Sequence, residues 1–247
     1  MHKEERCYWC GDVATSREHI PPRGLFRAIK GHKRLITVPS CSLHNENKSD
    51  LDNYFVATLG GMMAPFNEER MKFANERLSL MASHYRGSLN DFFGGEAASI
   101  WVPGLKFTGG VIHQINMGNI SVSLEGIARG LWYHSYNEVF RGELVLFEPS
   151  LPDMAYVETP PQQFNFTLDT QKQGDCPAVF WYQLAEHKDL SGFANTIPFT
   201  SAWSDVTMFK LCFFDCIQAT VICDQERPNQ FVFIQSDQHG NLVAHIC

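Results

Sequence analysis

The motif CYWC at Cys7–Cys10 is followed, 30 residues later, by CSLH at Cys41–His44. Together the two pairs offer three thiolates and one imidazole, the donor set that a tetrahedral structural zinc prefers. The intervening stretch, Asp12–Ser40, is dominated by Arg, Lys, Pro, Gly and Thr, so bound metal would stabilise it where an apolar core could not. The predicted ligands of this zinc are Cys7, Cys10, Cys41 and His44.

Polar side chains between the two pairs, and just after them, indicate a second chemistry. Four protein ligands leave a zinc ion no open position, so a reaction here would have to be carried by other residues. Glu18 and Asn45 offer a carboxylate and an amide oxygen, which are hard ligands suited to Mg²⁺ or Mn²⁺. His19 carries an imidazole, a group with an ordinary pKa of about 6.5 that can accept a proton from water near neutral pH.

On these residues, the stretch from 7 to 55, about a fifth of the chain, resembles the HNH endonucleases. Zinc-stapled members of that family have a small ββα-metal fold, in which an acid-His dipeptide ends the first strand and an Asn or His follows the second zinc pair. The resemblance implies that His19 is the general base and that Glu18 and Asn45 bind the catalytic ion. It also implies that Lys48, in a run similar to the family's Asn-x-x-Lys, faces a DNA phosphate.

The reaction implied by this resemblance is metal-assisted hydrolysis of a phosphodiester bond in DNA. His19 would take a proton from the attacking water, while one Mg²⁺ or Mn²⁺ ion held by Glu18 and Asn45 would stabilise the departing 3′ oxygen. The products would carry 5′-phosphate and 3′-hydroxyl ends. Arg17 and Arg23 flank the dipeptide and are further candidates to hold the nucleic-acid backbone. RNA is the alternative substrate, because the same residues would cleave it.

Two features of this stretch depart from the family pattern. His44 stands where a fourth Cys is commoner, which zinc accepts. The family usually has an Asn about five residues before the second pair, whereas Lys33–Pro39 contains none. A second hypothesis therefore stands beside the nuclease: a zinc-dependent nucleic-acid-binding or adaptor protein in which the nuclease site has decayed. For Asn45 taken alone, capping the start of a helix is a sufficient structural reason.

Charge is distributed unevenly along the chain. The first 50 residues hold nine Lys or Arg and six Asp or Glu, whereas the remaining 197 hold eleven and twenty-one, and the whole chain carries −7. A broad nucleic-acid surface normally needs a basic stripe that releases counterions, so we expect DNA contact to be confined to the N-terminal part. A homodimer, a protein partner or an activating ligand would then assist binding.

Length and composition favour a globular protein. With 247 residues, of which 44% are hydrophobic, the chain can bury a substantial core in one large domain or two modest ones. It has no apolar run of the roughly 20 residues that span a bilayer, and its start lacks the apolar stretch of a signal peptide. Five cysteines remain outside the predicted zinc site, an odd number that favours reduced thiols and a cytoplasmic location.

The pattern of apolar residues predicts an α+β fold. Residues 121–136 read as a helix with Leu124, Ile127 and Leu131 on one face, and a second helix is predicted over residues 67–85. Short aromatic or β-branched runs predict strands that form a largely antiparallel sheet against the first of these helices. The predicted strands are Glu143–Glu148, Ala178–Leu184, Met208–Phe214, Ala219–Cys223, Phe231–Gln235 and Leu242–Ile246.

These elements suggest three regions. Residues 1–60 are predicted to form the HNH module with its structural zinc, residues 61–95 a helical connector, and residues 96–247 an α+β domain. The last region has no motif for a known chemistry, so target recognition, dimerisation and regulation of the nuclease all stay open for it. The family resemblance suggests a context in defence against phage or in mobile-element biology.

Overall fold

The structure is a computed structural model that describes residues 5–26, 35–63, 98–100, 110–112, 116–150, 170–187, 206–215, 217–236 and 242–246. The chain divides into two compact units. One consists of Met1–Lys48 together with Leu124–Cys247, and the other of Ser49–Ser123. The regions predicted with boundaries at residues 60 and 95 remain a prediction, and the predicted helix over residues 67–85 lies outside the described residues.

The first elements are two short strands and the helical segment that follows them. Strand β1 (Ser16–Ile20) pairs antiparallel with β2 (Ile36–Ser40), and Glu18 lies opposite Val38. The chain then turns through α1 (Ser42–Asn45) and a 3₁₀ turn (Glu46–Lys48) into α2 (Ser49–Met63). The helical segment therefore begins three residues before Asn45, the residue considered from the sequence as a cap for the start of a helix. Helix α2 belongs to the second compact unit, as do β3 (Ala98–Ile100) and β4 (Gly110–Ile112).

The predicted helix over residues 121–136 is α3, which spans Met117–Tyr136. It begins four residues earlier than predicted because Asn116 caps it: its side-chain oxygen accepts the backbone N–H of Asn119 at 3.2 Å. It ends where Asn137 adopts the left-handed conformation and its N–H donates to the carbonyl of Tyr133 at 2.8 Å. The side chains predicted to share one face are buried, namely Leu124, Ile127 and Leu131.

Seven strands after α3 form one sheet, in the order β11-β10-β5-β9-β8-β7-β6. Every neighbouring pair is antiparallel except β10 with β5, which is parallel, so the prediction of a mixed α+β fold with a largely antiparallel sheet is confirmed. The strands are β5 (Glu143–Ser150), β6 (Gln173–Cys176), β7 (Phe180–His187), β8 (Val206–Phe213), β9 (Ile217–Asp224), β10 (Gln230–Ser236) and β11 (Leu242–Ile246).

The sheet buries apolar side chains that alternate along its central strands. One cluster takes alternate residues from four neighbouring strands, as the two-residue period of a strand requires. Its buried members are Val145, Phe147, Val206, Met208, Ile222, Val232 and Ile234. Residues next to cluster members in sequence, such as Phe209 beside Met208 and Val221 beside Ile222, are also fully buried, so these strands contribute apolar side chains on both faces. No helix in the described part of the chain is long and apolar enough to cross a membrane.

Candidate metal centre

The four predicted zinc ligands come together in space. Their ligand atoms all lie within 4.8 Å of one another, with Cys10 Sγ 3.8 Å from Cys41 Sγ and His44 Nδ1 3.2 Å from Cys41 Sγ and 3.7 Å from Cys7 Sγ. A tetrahedral zinc would separate two sulfur ligands by about 3.8 Å and a sulfur from a nitrogen by about 3.6 Å. The cluster could therefore hold a metal ion such as zinc, with little movement of its side chains.

The first ligand pair lies on a tight loop. The backbone N–H of Gly11 donates to the carbonyl of Cys7 at 2.9 Å, and the N–H of Cys7 donates to the carbonyl of Asp12 at 2.7 Å. This reversal places Gly11 at a φ of 83°, a left-handed conformation that side chains other than glycine rarely adopt. The loop holds the Cys7 and Cys10 thiols on the same side, close enough to bind one ion.

The second pair lies where β2 passes into helix. Cys41 is the N-cap of α1, and its carbonyl accepts the backbone N–H groups of His44 at 3.2 Å and Asn45 at 3.1 Å. This first helical turn brings the side chains of Cys41 and His44 together, because residues three apart share a face of a helix. The two pairs are joined through the backbone, since the N–H of Tyr8 donates to the carbonyl of Pro39 at 2.9 Å.

The local environment changes the acidity of the ligands. Burial opposes ionisation of Cys7, but backbone hydrogen bonds from Cys10, Cys41 and Trp9 outweigh it and lower the pKa of its thiol. Burial raises the pKa of the Cys10 thiol to about 12. Burial also lowers the pKa of His44, with help from Lys48 and Arg129, which favours the neutral imidazole that binds metal. A divalent ion would have to compete with the Cys10 proton.

A second layer of side chains surrounds the cluster. The indole of Trp9 stacks on the imidazole of His44, with ring centroids 5.2 Å apart and planes 7° from parallel. The guanidinium of Arg129, on α3, lies 5.6 Å from the centre of the Trp9 ring. Arg141 Nη2 donates to the backbone carbonyl of Cys10 at 2.9 Å. No motif in the sequence predicted these long-range contacts.

Helix α3 can approach this layer because of two glycines. A Cβ built on Gly126 would come within 2.9 Å of the Trp9 ring, and one built on Gly130 within 2.5 Å of the Ile20 side chain. The spacing Gly-x-x-x-Gly, visible in the sequence, puts both residues on one face of the helix. Two glycines on one face of a helix indicate, from the sequence alone, that another segment can pack closely against that face.

Glu18 is buried on β1, with only 3% of its surface exposed. Its Oε1 atom lies 3.2 Å from the ammonium nitrogen of Lys48, whose side chain is 13% exposed. The sequence assigned these two residues separate roles, Glu18 on a catalytic ion and Lys48 on a phosphate. The structure pairs them, and both roles remain predictions.

His19 follows Glu18 on β1 and lies opposite Thr37 in the strand pairing. Its side chain is half-buried, because adjacent residues of a strand point to opposite faces and Glu18 occupies the buried one. Burial lowers the pKa of His19, and the positive charge of Arg23 lowers it further. Its imidazole is therefore predominantly neutral at pH 7, the form that a general base needs.

Asn45 is the last residue of α1, so it does not cap the start of that helix. Its amide nitrogen donates to Ser16 Oγ at 2.8 Å and to the carbonyl oxygen of Arg17 at 3.4 Å, both on β1. These bonds tie the helical segment to the strand that carries Glu18 and His19. They use the nitrogen, whereas a hard cation would take the amide oxygen.

The two arginines proposed to hold a nucleic-acid backbone are both exposed. Arg17 already has partners, because its Nη1 atom lies 3.0 and 3.1 Å from the two carboxylate oxygens of Glu5 and its Nη2 donates to the carbonyl of Thr37 at 3.0 Å. Arg23 begins the 3₁₀ turn Arg23–Phe26 and is close enough to influence His19 electrostatically. Their binding roles remain predictions.

Comparison with known proteins adds no assignment to this site. No protein-family model, no curated protein and no solved structure matches the chain. The functional interpretation therefore depends on the residues themselves.

Proposed function

We propose that this chain is a metal-dependent HNH endonuclease that hydrolyses phosphodiester bonds in DNA. The observation that carries the proposal is the way the helical segment after the cluster is tied to β1. Asn45 donates to Ser16 and Arg17, and Lys48 pairs with Glu18. The acid-His dipeptide, the Asn and the Lys, which are far apart in sequence, are thereby gathered beside a Cys₃His cluster.

In this proposal the Cys₃His cluster binds zinc, which closes the loop between its ligand pairs and takes no part in the reaction. A buried carboxylate and an amide oxygen, from Glu18 and Asn45, fit a hard divalent ion. Mg²⁺ or Mn²⁺ bound there would stabilise negative charge on the departing 3′ oxygen. His19 is half-exposed and mostly neutral, so it can take a proton from the water that attacks phosphorus.

Lys48 has a definite place in this scheme. Its ammonium balances the buried charge of Glu18, which would otherwise be costly to desolvate. A divalent ion at Glu18 would supply that balance instead, and the Lys48 side chain would be released to contact a phosphate oxygen of the substrate.

Arg17 and Arg23 are exposed in the same N-terminal region, which is the part of the chain with a net positive charge. Phage defence or mobile-element biology would be the setting, as the family resemblance suggests.

The first test is cleavage of supercoiled plasmid by the purified protein with Mg²⁺ or Mn²⁺, compared with a His19→Ala variant. We expect metal-dependent nicking or linearisation that His19→Ala abolishes with zinc content unchanged. His134→Ala is the matched control, because His134 is exposed on α3 and has no role in the proposal. Cleavage that survives His19→Ala would exclude His19 as the base. Absence of cleavage by the wild-type protein would favour a binding role.

One observation favours a second candidate, a zinc-dependent nucleic-acid-binding or adaptor protein with a decayed nuclease site. The carboxylate that should bind the catalytic ion is already paired with a cation, Lys48. Mn²⁺ binding, measured by electron paramagnetic resonance, separates the two candidates. The nuclease predicts a bound ion that is lost in Glu18→Gln, whereas the binding protein predicts none. The same cleavage assay with an RNA substrate tests the remaining alternative.

A further inference from the structure

Two rings and one cation, from Trp9, His44 and Arg129, form a series of contacts that ends at the metal cluster. Trp9 stacks on His44, whose Nδ1 atom lies close to the sulfurs of Cys7 and Cys41. The guanidinium of Arg129 lies over the Trp9 ring, 5.6 Å from its centroid. A cation at this distance from an indole is attracted by its ring electrons. The arrangement connects a buried helix residue to one of the four ligands through a single intervening side chain.

The guanidinium of Arg129 is itself held in a fixed position. Its Nε donates to Glu125 Oε1 at 2.8 Å, Nη1 to the carbonyl of Phe140 at 3.2 Å and Nη2 to Asn229 Oδ1 at 3.2 Å. Only 4% of Arg129 is exposed. A cation buried this deeply, and bonded on three sides, has one orientation, because any other would break charge-assisted hydrogen bonds.

Trp9 is constrained from the side of α3 as well. Gly126 leaves room for the edge of its ring, since a Cβ at that position would approach Trp9 Cζ3 to 2.9 Å. Trp9 is therefore confined by the helix backbone, the Arg129 guanidinium and the His44 ring. In this position the indole lies nearly parallel to the imidazole, with the two ring planes 7° apart.

We propose that Arg129 is a positioning residue for the metal cluster: through Trp9 it fixes the His44 imidazole with Nδ1 directed at the shared ion. The inference rests on the proposed zinc binding and not on nuclease activity. Ring orientation matters because groups that orient a metal-binding histidine typically change metal affinity by 10- to 100-fold when removed. Asn229 is exposed on the turn between β9 and β10, so the same contacts connect the sheet surface to the metal.

The test uses the full-length protein loaded with Zn²⁺ or Co²⁺. Arg129→Met keeps an unbranched side chain about as long as the aliphatic stem of arginine and removes the charged guanidinium, and Trp9→Leu removes the ring. We expect each to release zinc to a competing chelator about 10-fold faster or more and to shift the visible ligand-field bands of the Co²⁺ protein. Combined, the two changes should have less than the sum of their separate effects, because they break the same chain of contacts.

Arg227→Met is the matched control, because Arg227 also forms ion pairs in the same unit, and its partners Glu143 and Asp224 do not belong to the metal cluster. Its Co²⁺ spectrum should equal that of the wild type. Gly126→Ala provides a second variant that displaces Trp9 while leaving the Arg129 charge in place, in case Arg129→Met does not fold. Wild-type spectra and zinc release in folded Arg129→Met or Gly126→Ala would overturn the proposal. A wild-type protein that binds neither metal would instead overturn the zinc site on which it rests.

Discussion

Residues 5–48 and the strands of the large sheet belong to the same compact unit, yet they bury very different groups. The N-terminal residues bury a carboxylate paired with a lysine and gather four metal-ligating side chains. The sheet strands bury a continuous apolar cluster from β5, β8, β9 and β10. The first region therefore adds metal ligands and a buried ion pair to its own apolar side chains, such as Tyr8 and Leu25, whereas the second depends mainly on the removal of apolar surface from water.

This difference predicts that solution conditions act on the two regions separately. Chelators, acid and salt change the charge and metal balance that holds residues 5–48, but they leave apolar burial almost untouched. Loss of a buried side chain in the sheet should instead lower the free energy of unfolding without changing metal binding. The changes below are ordered by the size of the effect we expect.

Removal of metal should have the largest effect and should be confined to the first region. Structural zinc in small peptides binds with about 10–16 kcal/mol of apparent free energy, which is also folding free energy. After chelation, or in Cys41→Ser, we expect fast hydrogen exchange at the amides of Tyr8 and Thr15, which now donate to Pro39 and Ser40. Exchange in β8 and β9 should stay slow. Cys176→Ser, which changes a cysteine outside the cluster, is the control. Equal loss of protection in both regions would show that the bound metal stabilises the sheet as well as residues 5–48.

Truncation in the sheet should give the next largest effect. Phe209 is fully buried on β8, and Phe209→Ala should lower the free energy of unfolding by about 3–5 kcal/mol through lost burial and the cavity left behind. Urea unfolding measures this change, and zinc content should remain that of the wild type. Ile246→Ala serves as the control because Ile246 is 75% exposed. A loss of zinc in Phe209→Ala would show that the two regions are not separable.

The contact between α3 and β1 should have an intermediate effect. A methyl group at Gly130 would meet Cγ1 and Cδ1 of Ile20 at 2.5 Å, so Gly130→Ala should overpack this contact at a cost of about 1–3 kcal/mol. Better helix propensity would offset about 1 kcal/mol of that cost. The double variant with Ile20→Ala should recover part of the loss, measured by urea unfolding. Strictly additive effects would mean that the two residues do not press on each other.

The smallest effect should come from the exposed pair of Arg17 and Glu5. Their side chains are 49% and 59% exposed, and such pairs contribute about 0–1 kcal/mol. Glu5→Gln should therefore lower the free energy of unfolding slightly at low salt and not at all at high salt. Unfolding of both proteins at the two salt concentrations tests this. A loss well above 1 kcal/mol would mean that the N-terminal region depends on its surface charges more than the comparison allows.

The parts of the fold that could be predicted from sequence are those that depend on local spacing. Two ligand pairs in the pattern Cys-x-x-Cys and Cys-x-x-His predicted the cluster, because each pair is brought together by one turn of chain. Short aromatic or β-branched runs predicted six of the seven described strands of the large sheet, all but β6, and the 3.6-residue period predicted the buried face of α3. These signals need no knowledge of what the segments pack against.

The parts that could not be predicted depend on which distant segments meet. The residue types of Glu18, Lys48 and Asn45 were visible, but their mutual contacts follow from how the helical segment lies on β1. The contact of Arg129 with Trp9 joins residues 120 positions apart, and the sequence offered only the Gly126 to Gly130 spacing as a sign of it. The predicted roles of these side chains in catalysis remain to be tested by the experiments above.

The position of β5 has a consequence for the order in which the chain is made. This strand lies between β9 and β10, its partners in the sheet, and both are synthesised after it. As the chain leaves the ribosome, the CYWC and CSLH pairs are complete within the first 44 residues, but β5 must wait until about residue 224 for its first neighbour. Until then β5 has neither of its strand partners, and unpaired strand edges are the kind of surface through which incomplete chains aggregate.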